Sequence, residues 1–170
     1  MAIRVTVFGE NTHEHQENHP IQNIYPDGMH NAIASAIKEH LGDDAEVRTV
    51  VLQDPEHGLT EEVLANTDVL TWWGHTAHDK VEDAIVDRVH ARVLAGMGIL
   101  VLHSAHYSKI FRKLMGTSCS LRWRDGDVET VWTVAPGHPI TEGVPAVFQI
   151  PEHEMYGEFF NIPPPDELIF

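Results

Sequence analysis

The sequence predicts an α/β fold on a mostly parallel sheet, doubly wound, and two observations predict it. Short apolar runs at residues 3–8, 46–52, 68–73 and 99–102 alternate with segments of helical periodicity. Three of those runs then lead into histidine: Gly9-Glu10-Asn11-Thr12-His13 follows the first, Gly74-His75 the third and His103 the fourth. In a β-α-β-α sheet, ligands bind in the crevice beyond the carboxyl ends of the strands. Three strands therefore deliver imidazoles to one edge.

The elements follow in order. The first strand, 3–8, opens into a polar loop, 9–27, that carries His13, His15 and His19. At about 19 residues this loop exceeds what a compact βα connection needs, and loops of that length are usually functional or disordered. A helix over 28–41 carries Met29, Ile33, Ile37 and Leu41 at i, i+4 spacing, with Asp27 as its expected N-cap and Gly42 just past its end. Strand 46–52 precedes a short helix over 60–64 and strand 68–73. A helix over 81–94 lines up Val81, Ile85, Val89 and Val93, and Gly96 and Gly98 break it before strand 99–102. A turn at Ser104 and Ala105 leads into a helix over 107–114.

After Gly116 the pattern changes. Residues 121–124 and 128–134 flank Asp125-Gly126-Asp127, a hairpin signal. Phe148-Gln149-Ile150 resembles a short strand, and Pro163-Pro164-Pro165 cannot lie in a central one. The apolar ending Leu168-Ile169-Phe170 has the character of a new strand. The expectation is a single domain over 1–170, truncated at its C-terminus.

Charge narrows the partners. Twenty-six acidic residues against 11 Lys and Arg give a formal charge of −15, which repels phosphate backbones and anionic headgroups. Neither nucleic acid nor a membrane is expected. No apolar run approaches the roughly 20 residues that span a bilayer, and Met1-Ala2-Ile3-Arg4 runs into the first strand without a signal peptide. The expected location is cytoplasmic. The lone Cys119 excludes an intramolecular disulfide and is expected to be a small buried apolar residue.

Imidazole serves as a metal ligand or as an acid or base near neutral pH, so His13, His75 and His103 are expected to converge on one centre. In Gly74-His75-Thr76-Ala77-His78-Asp79, the glycine permits close backbone approach. Asp79 would orient an imidazole there, or else His78 and Asp79 simply begin the next helix. Leu102-His103-Ser104-Ala105-His106 occupies the strand–turn–helix position of a nucleophile elbow, without its G-x-S-x-G glycines or a Cys. That leaves His103 as ligand, acid/base or buried structural residue. Ser104 is a nucleophile or polar contact, and His106 an acid/base group or a surface histidine. Within Glu152-His153-Glu154-Met155-Tyr156, Glu154 is a base or ligand and Tyr156 a proton donor, unless the segment is a solvated acidic turn. His40, His57 and His90 are expected to be structural. Trp72, Trp73, Trp123 and Trp132 are expected in the core, with Trp73 also placed to line a cleft.

Several blocks together carry a resemblance. Glu10-Asn11-x-His13-Glu14, Ile24-Tyr25-Pro26-x-Gly28-x-His30, Trp72-Trp73-Gly74-His75-x-x-His78-Asp79, Leu102-His103-Ser104-x-His106-x-Ser108-Lys109, Met115-Gly116-Thr117-Ser118-Cys119 and Glu154-Met155-Tyr156-Gly157 resemble the ThuA-like trehalose utilisation family, in order over essentially the whole chain. The resemblance implies a class I glutamine amidotransferase-like fold, a flavodoxin-like three-layer α/β/α sandwich, and a place in disaccharide catabolism beside a sugar dehydrogenase. Glutaminases of that fold need a Cys at the elbow, and His103-Ser104-Ala105 stands there instead, so glutamine hydrolysis is not expected. Family members also continue past this chain's end through a Gly-His-Glu block.

The expected function is thus a metal-dependent enzyme acting on a disaccharide such as trehalose or its keto derivative. His13, His75 and His103 would hold a divalent metal, Zn²⁺ by ligand type. Glu154, Tyr156 and His106 would be catalytic, and Trp73, His78 and Ser104 would touch the sugar. A homo-oligomer is expected. The alternative is a non-catalytic sugar-binding or regulatory partner of the dehydrogenase.

Overall fold

Four apolar runs become a parallel sheet in a computed structural model that describes residues 1–157 and 159–170. Its strands are β1 (Ile3–Gly9), β2 (Ala45–Val51), β3 (Val69–Trp73) and β4 (Gly98–Leu102), in the order β2-β1-β3-β4. The helices are α1 (Ile21–Ile24), α2 (Met29–Leu41), α3 (Glu61–Ala65), α4 (Asp83–Leu94) and α5 (Lys109–Met115). The chain divides into two compact units, Met1–Gly116 and Thr117–Phe170. The sheet and all five helices belong to the first.

Side-chain alternation along each strand builds that first unit into three layers. Val5 and Val7 pack with Ala34, Ile33 and Ile37 of α2 on one face. Phe8, Leu70 and Trp72 face the other way, against Leu64 of α3, Ile85, Val86 and Val89 of α4 and Ile110 of α5. Phe8 and Trp72 are paired across the β1–β3 register, with ring centroids 4.2 Å apart. Each large side chain so buried stabilises the fold by about 1.5–3 kcal/mol. The register also sets the site: Gly9 pairs with Trp73, and Trp73 with Leu102, so β1, β3 and β4 end level with one another.

Side-chain caps start two of the helices. The hydroxyls of Thr60 and Ser108 accept the backbone N–H of Val63 and Phe111. Helix α2 departs from expectation. It begins after Gly28 at φ +86°, a conformation open to glycine, and the expected Asp27 cap makes no such bond. Glu14 reaches over from the preceding loop instead and accepts the Met29 N–H at 3.2 Å. Elsewhere the expected boundaries shift by one or two residues, and the helix expected over 107–114 becomes a 3-10 turn, His103–Tyr107, followed by α5.

The second unit holds two antiparallel strands, β5 (Arg122–Trp132) and β6 (Val147–Gly157). Asp125-Gly126-Asp127 does not turn a hairpin. It is an irregularity inside β5, where the register with β6 shifts between Arg124 and Asp127 and Gly126 takes φ +81°. The expected strand at 148–150 extends to 11 residues and absorbs Glu152–Tyr156, so that segment is strand and not a turn. Trp123 and Trp132 are 63% and 57% exposed and leave the core to Trp72. The terminal residues 168–170 form no strand, although the Ile169 carbonyl accepts the N–H groups of Val134 and Ala135. Cys119 is buried, with its sulfur 3.5 Å from the Thr117 hydroxyl.

Candidate functional site

The carboxyl end of β1 delivers Glu10, 3% exposed, beneath the turn that follows β3. Its carboxylate accepts the backbone N–H of His75 at 2.6 Å and of Thr76 at 3.0 Å, and the Thr76 hydroxyl at 3.1 Å. Burial pushes the Glu10 carboxyl up, but the amides of Ala77, His75 and Thr76 together outweigh it, so it stays ionised below the ordinary carboxylate range. Gly74 makes the arrangement fit, because a Cβ there would lie 3.1 Å from Glu10 Oε2 and 3.4 Å from His78 Nδ1. One buried charge thus fixes the turn that carries His75 and His78.

Above that turn, His13 and His75 meet. The 3-10 turn His13–His15 brings His13 Nε2 within 2.7 Å of His75 Nδ1. The contact requires a proton on one nitrogen and a lone pair on the other. His19 stacks on His13 with centroids 4.6 Å apart, and its Nδ1 accepts the Ile21 N–H. His78 starts a 3-10 turn, His78–Lys80, and is half-buried. Burial lowers its pKa first, the Glu10 charge opposes this, and His106, His75 and Arg112 lower it further. The Tyr107 ring packs edge-on against both His78 and His106, with centroids 6.1 and 6.0 Å away, and the Arg112 guanidinium lies 4.8 Å above it.

His103 leaves β4 at the same edge, next to β3, at φ +42°. That left-handed turn is the strained strand-to-helix position of an elbow, and it presents an exposed imidazole. Ser104 lies behind it, buried, and donates its hydroxyl to the Gly74 carbonyl at 2.9 Å. Its hydroxyl ties β4 to the β3 turn. Asp79 is exposed, 3.8 Å from Lys80 Nζ, and makes no hydrogen bond to an imidazole among the described residues; Glu10 holds the turn. Trp73 is half-buried at the end of β3.

Glu154 and Tyr156 lie together on β6 in the second unit, where Trp123 pairs with Tyr156. Burial and then the neighbouring Glu154 charge and hydrogen bond push the Tyr156 phenol up to about 12. It therefore stays protonated and is a hydrogen-bond donor at neutral pH. His57 is structural: Nδ1 lies 2.7 Å from the Leu52 carbonyl oxygen, and Nε2 accepts the Glu82 N–H. Among the described residues, no three His, Cys, Asp or Glu side chains are grouped to hold a metal ion. His13 and His75 supply two nitrogens, short of the three protein ligands typical of catalytic zinc.

Sequence reasoning assigned no role to Glu10. Its signal is a carboxylate placed directly after an apolar strand, one residue past Gly9.

With fold and site in hand, the chain belongs to the ThuA family, described as trehalose utilisation, which matches residues 4–170. Two solved structures are similar in fold. A ThuA-like protein of Bacteroides uniformis superposes with a TM-score of 0.62 at 19% identity, over 91% of this chain and 60% of that one. One of Parabacteroides merdae gives 0.58 at 13% identity, over 92% and 63%. The chain thus spans about three fifths of the length of these relatives. No curated protein matches it. Among the described residues, no helix is long and apolar enough to cross a membrane.

Proposed function

We propose that the chain is a sugar-processing enzyme of its family, acting on a disaccharide such as trehalose or its keto derivative at the edge where β1, β3 and β4 end. The observation that carries this reading is the 2.7 Å contact between His13 and His75, anchored from below by the Glu10 carboxylate. With the shared proton on His75 Nδ1 and donated to His13 Nε2, His75 Nε2 keeps a lone pair that can take a proton from a sugar carbon beside a carbonyl, or from a hydroxyl, and return it to another atom of the same sugar. Glu10 keeps the β3 turn in one conformation, so the imidazole needs no reorganisation during the step. His78, held neutral by burial and by neighbouring positive charge, is a second proton acceptor. With His103 at the elbow and no thiol there, the route runs through proton transfer and not through a thioester.

The 2.7 Å contact takes one nitrogen of each ring, so a divalent ion such as Zn²⁺ held by His13 and His75, with His103 on the adjoining strand end as the candidate third ligand, would displace the shared proton and require the two rings to part. A bound metal would polarise a sugar carbonyl or hydroxyl as a Lewis acid. The test combines metal analysis of the purified protein with NMR of trehalose and keto-trehalose incubated with it. The expected result is consumption of at least one sugar and bound divalent metal that falls in His75→Gln. Neither sugar altered, with or without added Zn²⁺, would contradict the enzyme reading and leave a sugar-binding module.

A further inference from the structure

The loop after β2 reaches across to the segment that carries His13. The Leu52 N–H donates to the Gly9 carbonyl at 3.2 Å, which sets Gln53 beside the two residues that follow β1. Gln53 Nε2 lies 3.2 Å from the Glu10 carbonyl oxygen and 3.3 Å from that of Asn11. Carbonyl oxygens only accept, so the amide nitrogen has to face them, and one group donates to both. The Thr12 hydroxyl donates to the same Glu10 carbonyl at 3.3 Å. Asn11 sits at φ +50°, a left-handed conformation that residues with a side chain rarely adopt. On the α2 side Gly9 is closed in, because a Cβ there would fall 2.8 Å from His30 Cβ. The backbone from the end of β1 to His13 is thus gripped at residues 9, 10 and 11.

The loop that brings Gln53 there is itself held against strain. Glu56 and His57 take φ +51° and +55°, two successive left-handed residues. Such conformations persist only where the surroundings over-determine them, and they cluster at functional sites. Here His57, 8% exposed, has Nδ1 2.7 Å from the Leu52 carbonyl oxygen and accepts the Glu82 N–H at Nε2. The Asp54 carboxylate accepts the Val51 N–H at 2.9 Å. The loop is therefore pinned on both sides of Gln53, to β1 before it and to the residue preceding α4 after it. Gln53 itself is exposed, so burial does little to hold its side chain, and the bonds from its amide nitrogen go to the two carbonyls.

We propose that Gln53 is a positioning residue: it fixes the Glu10–Asn11 backbone so that His13, two residues further on, meets His75. This rests on the reading of the His13–His75 pair as the reactive centre. Gln53→Met keeps the side-chain length and loses the donor, and Gln53→Lys restores a donor. ¹⁵N NMR of the histidine ring nitrogens at about pH 8, above the ordinary imidazole range, reads the pair without any sugar. A ring held by such a contact keeps one tautomer, and a released ring exchanges between two. Single tautomers in wild type, averaging in Gln53→Met and their return in Gln53→Lys, with the urea unfolding midpoint little changed, support the role. On a sugar that wild type turns over, kcat in Gln53→Met is then expected to fall about five- to tenfold with KM little changed. Single tautomers that persist in Gln53→Met overturn the role and leave the His13–His75 pair standing. Averaging that Gln53→Lys does not mend, or that comes with a large fall in the unfolding midpoint, also overturns it. Rings that already average in wild type overturn it together with the pair. If wild type turns over neither sugar, the sugar-processing reading fails, and the ring nitrogens still decide the part of Gln53.

Discussion

Glu10 accepts the N–H groups of His75 and Thr76 and the Thr76 hydroxyl from a single turn, with the Ala77 amide beside them, and that concentration makes its removal costly. Glu10→Ala would leave the buried amides of His75 and Thr76 without acceptors, and we expect a loss of about 2–4 kcal/mol, read from urea unfolding. The pH dependence has a fixed sign. The folded-state pKa of Glu10 lies below its unfolded value, so its contribution is complete above the ordinary carboxylate range and is lost as pH falls through the folded pKa. His78 acts in the same direction from higher pH. Its folded pKa lies below the ordinary value of 6.5, so protons favour the unfolded chain from about that point downward. Stability should therefore decline from about pH 6.5 and steepen below about pH 5. Glu10→Gln should flatten only the lower part of that curve; an unchanged curve would show that the carboxylate is not held by the turn.

At the scale of elements, the junction of β1 with α2 depends on two glycines and one imidazole. Gly28→Ala places a Cβ 2.5 Å from His30 Cε1 and imposes φ +86° on a side-chain-bearing residue. We expect it to destabilise by about 2–4 kcal/mol, partly through strain and partly through the clash. His30→Ala removes the clashing atoms, so in that background Gly28→Ala should cost visibly less, with only the backbone term remaining. Additive losses in this cycle would place the whole cost in the backbone. The same junction shows where sequence reasoning stopped. Apolar spacing located α2, but Asp27 looked like the cap because it precedes the helix, whereas Glu14 supplies it from 15 residues away. Contacts of that separation leave no local signature.

Over the whole molecule, what was legible in the sequence is what periodicity encodes. Alternating apolar runs located all four strands of the parallel sheet, and strand ends followed by histidine located the edge where His13 and His75 meet. The second unit was less legible. Asp125-Gly126-Asp127 carries the residues of a tight turn, yet β6, some 20 positions onward, pairs with both sides of it and makes it a bulge. Trp123 and Trp132 have core composition but lie on a two-stranded sheet, where half of each strand faces outward. Within the site, the Ser104 hydroxyl bonds to the Gly74 carbonyl and Asp79 lies beside Lys80, contacts that residue type alone does not encode.

In the proposed function, His13 and His75 act as one unit on a sugar. A double-mutant cycle on turnover tests this, with His13→Gln, His75→Gln and the pair compared with wild type on trehalose and keto-trehalose. Each single change should lower turnover at least about 100-fold with the fold intact by circular dichroism, and the double variant should be scarcely worse than either. Losses that multiply in the double variant, or singles that retain near-wild-type turnover, would show that the two imidazoles do not act together.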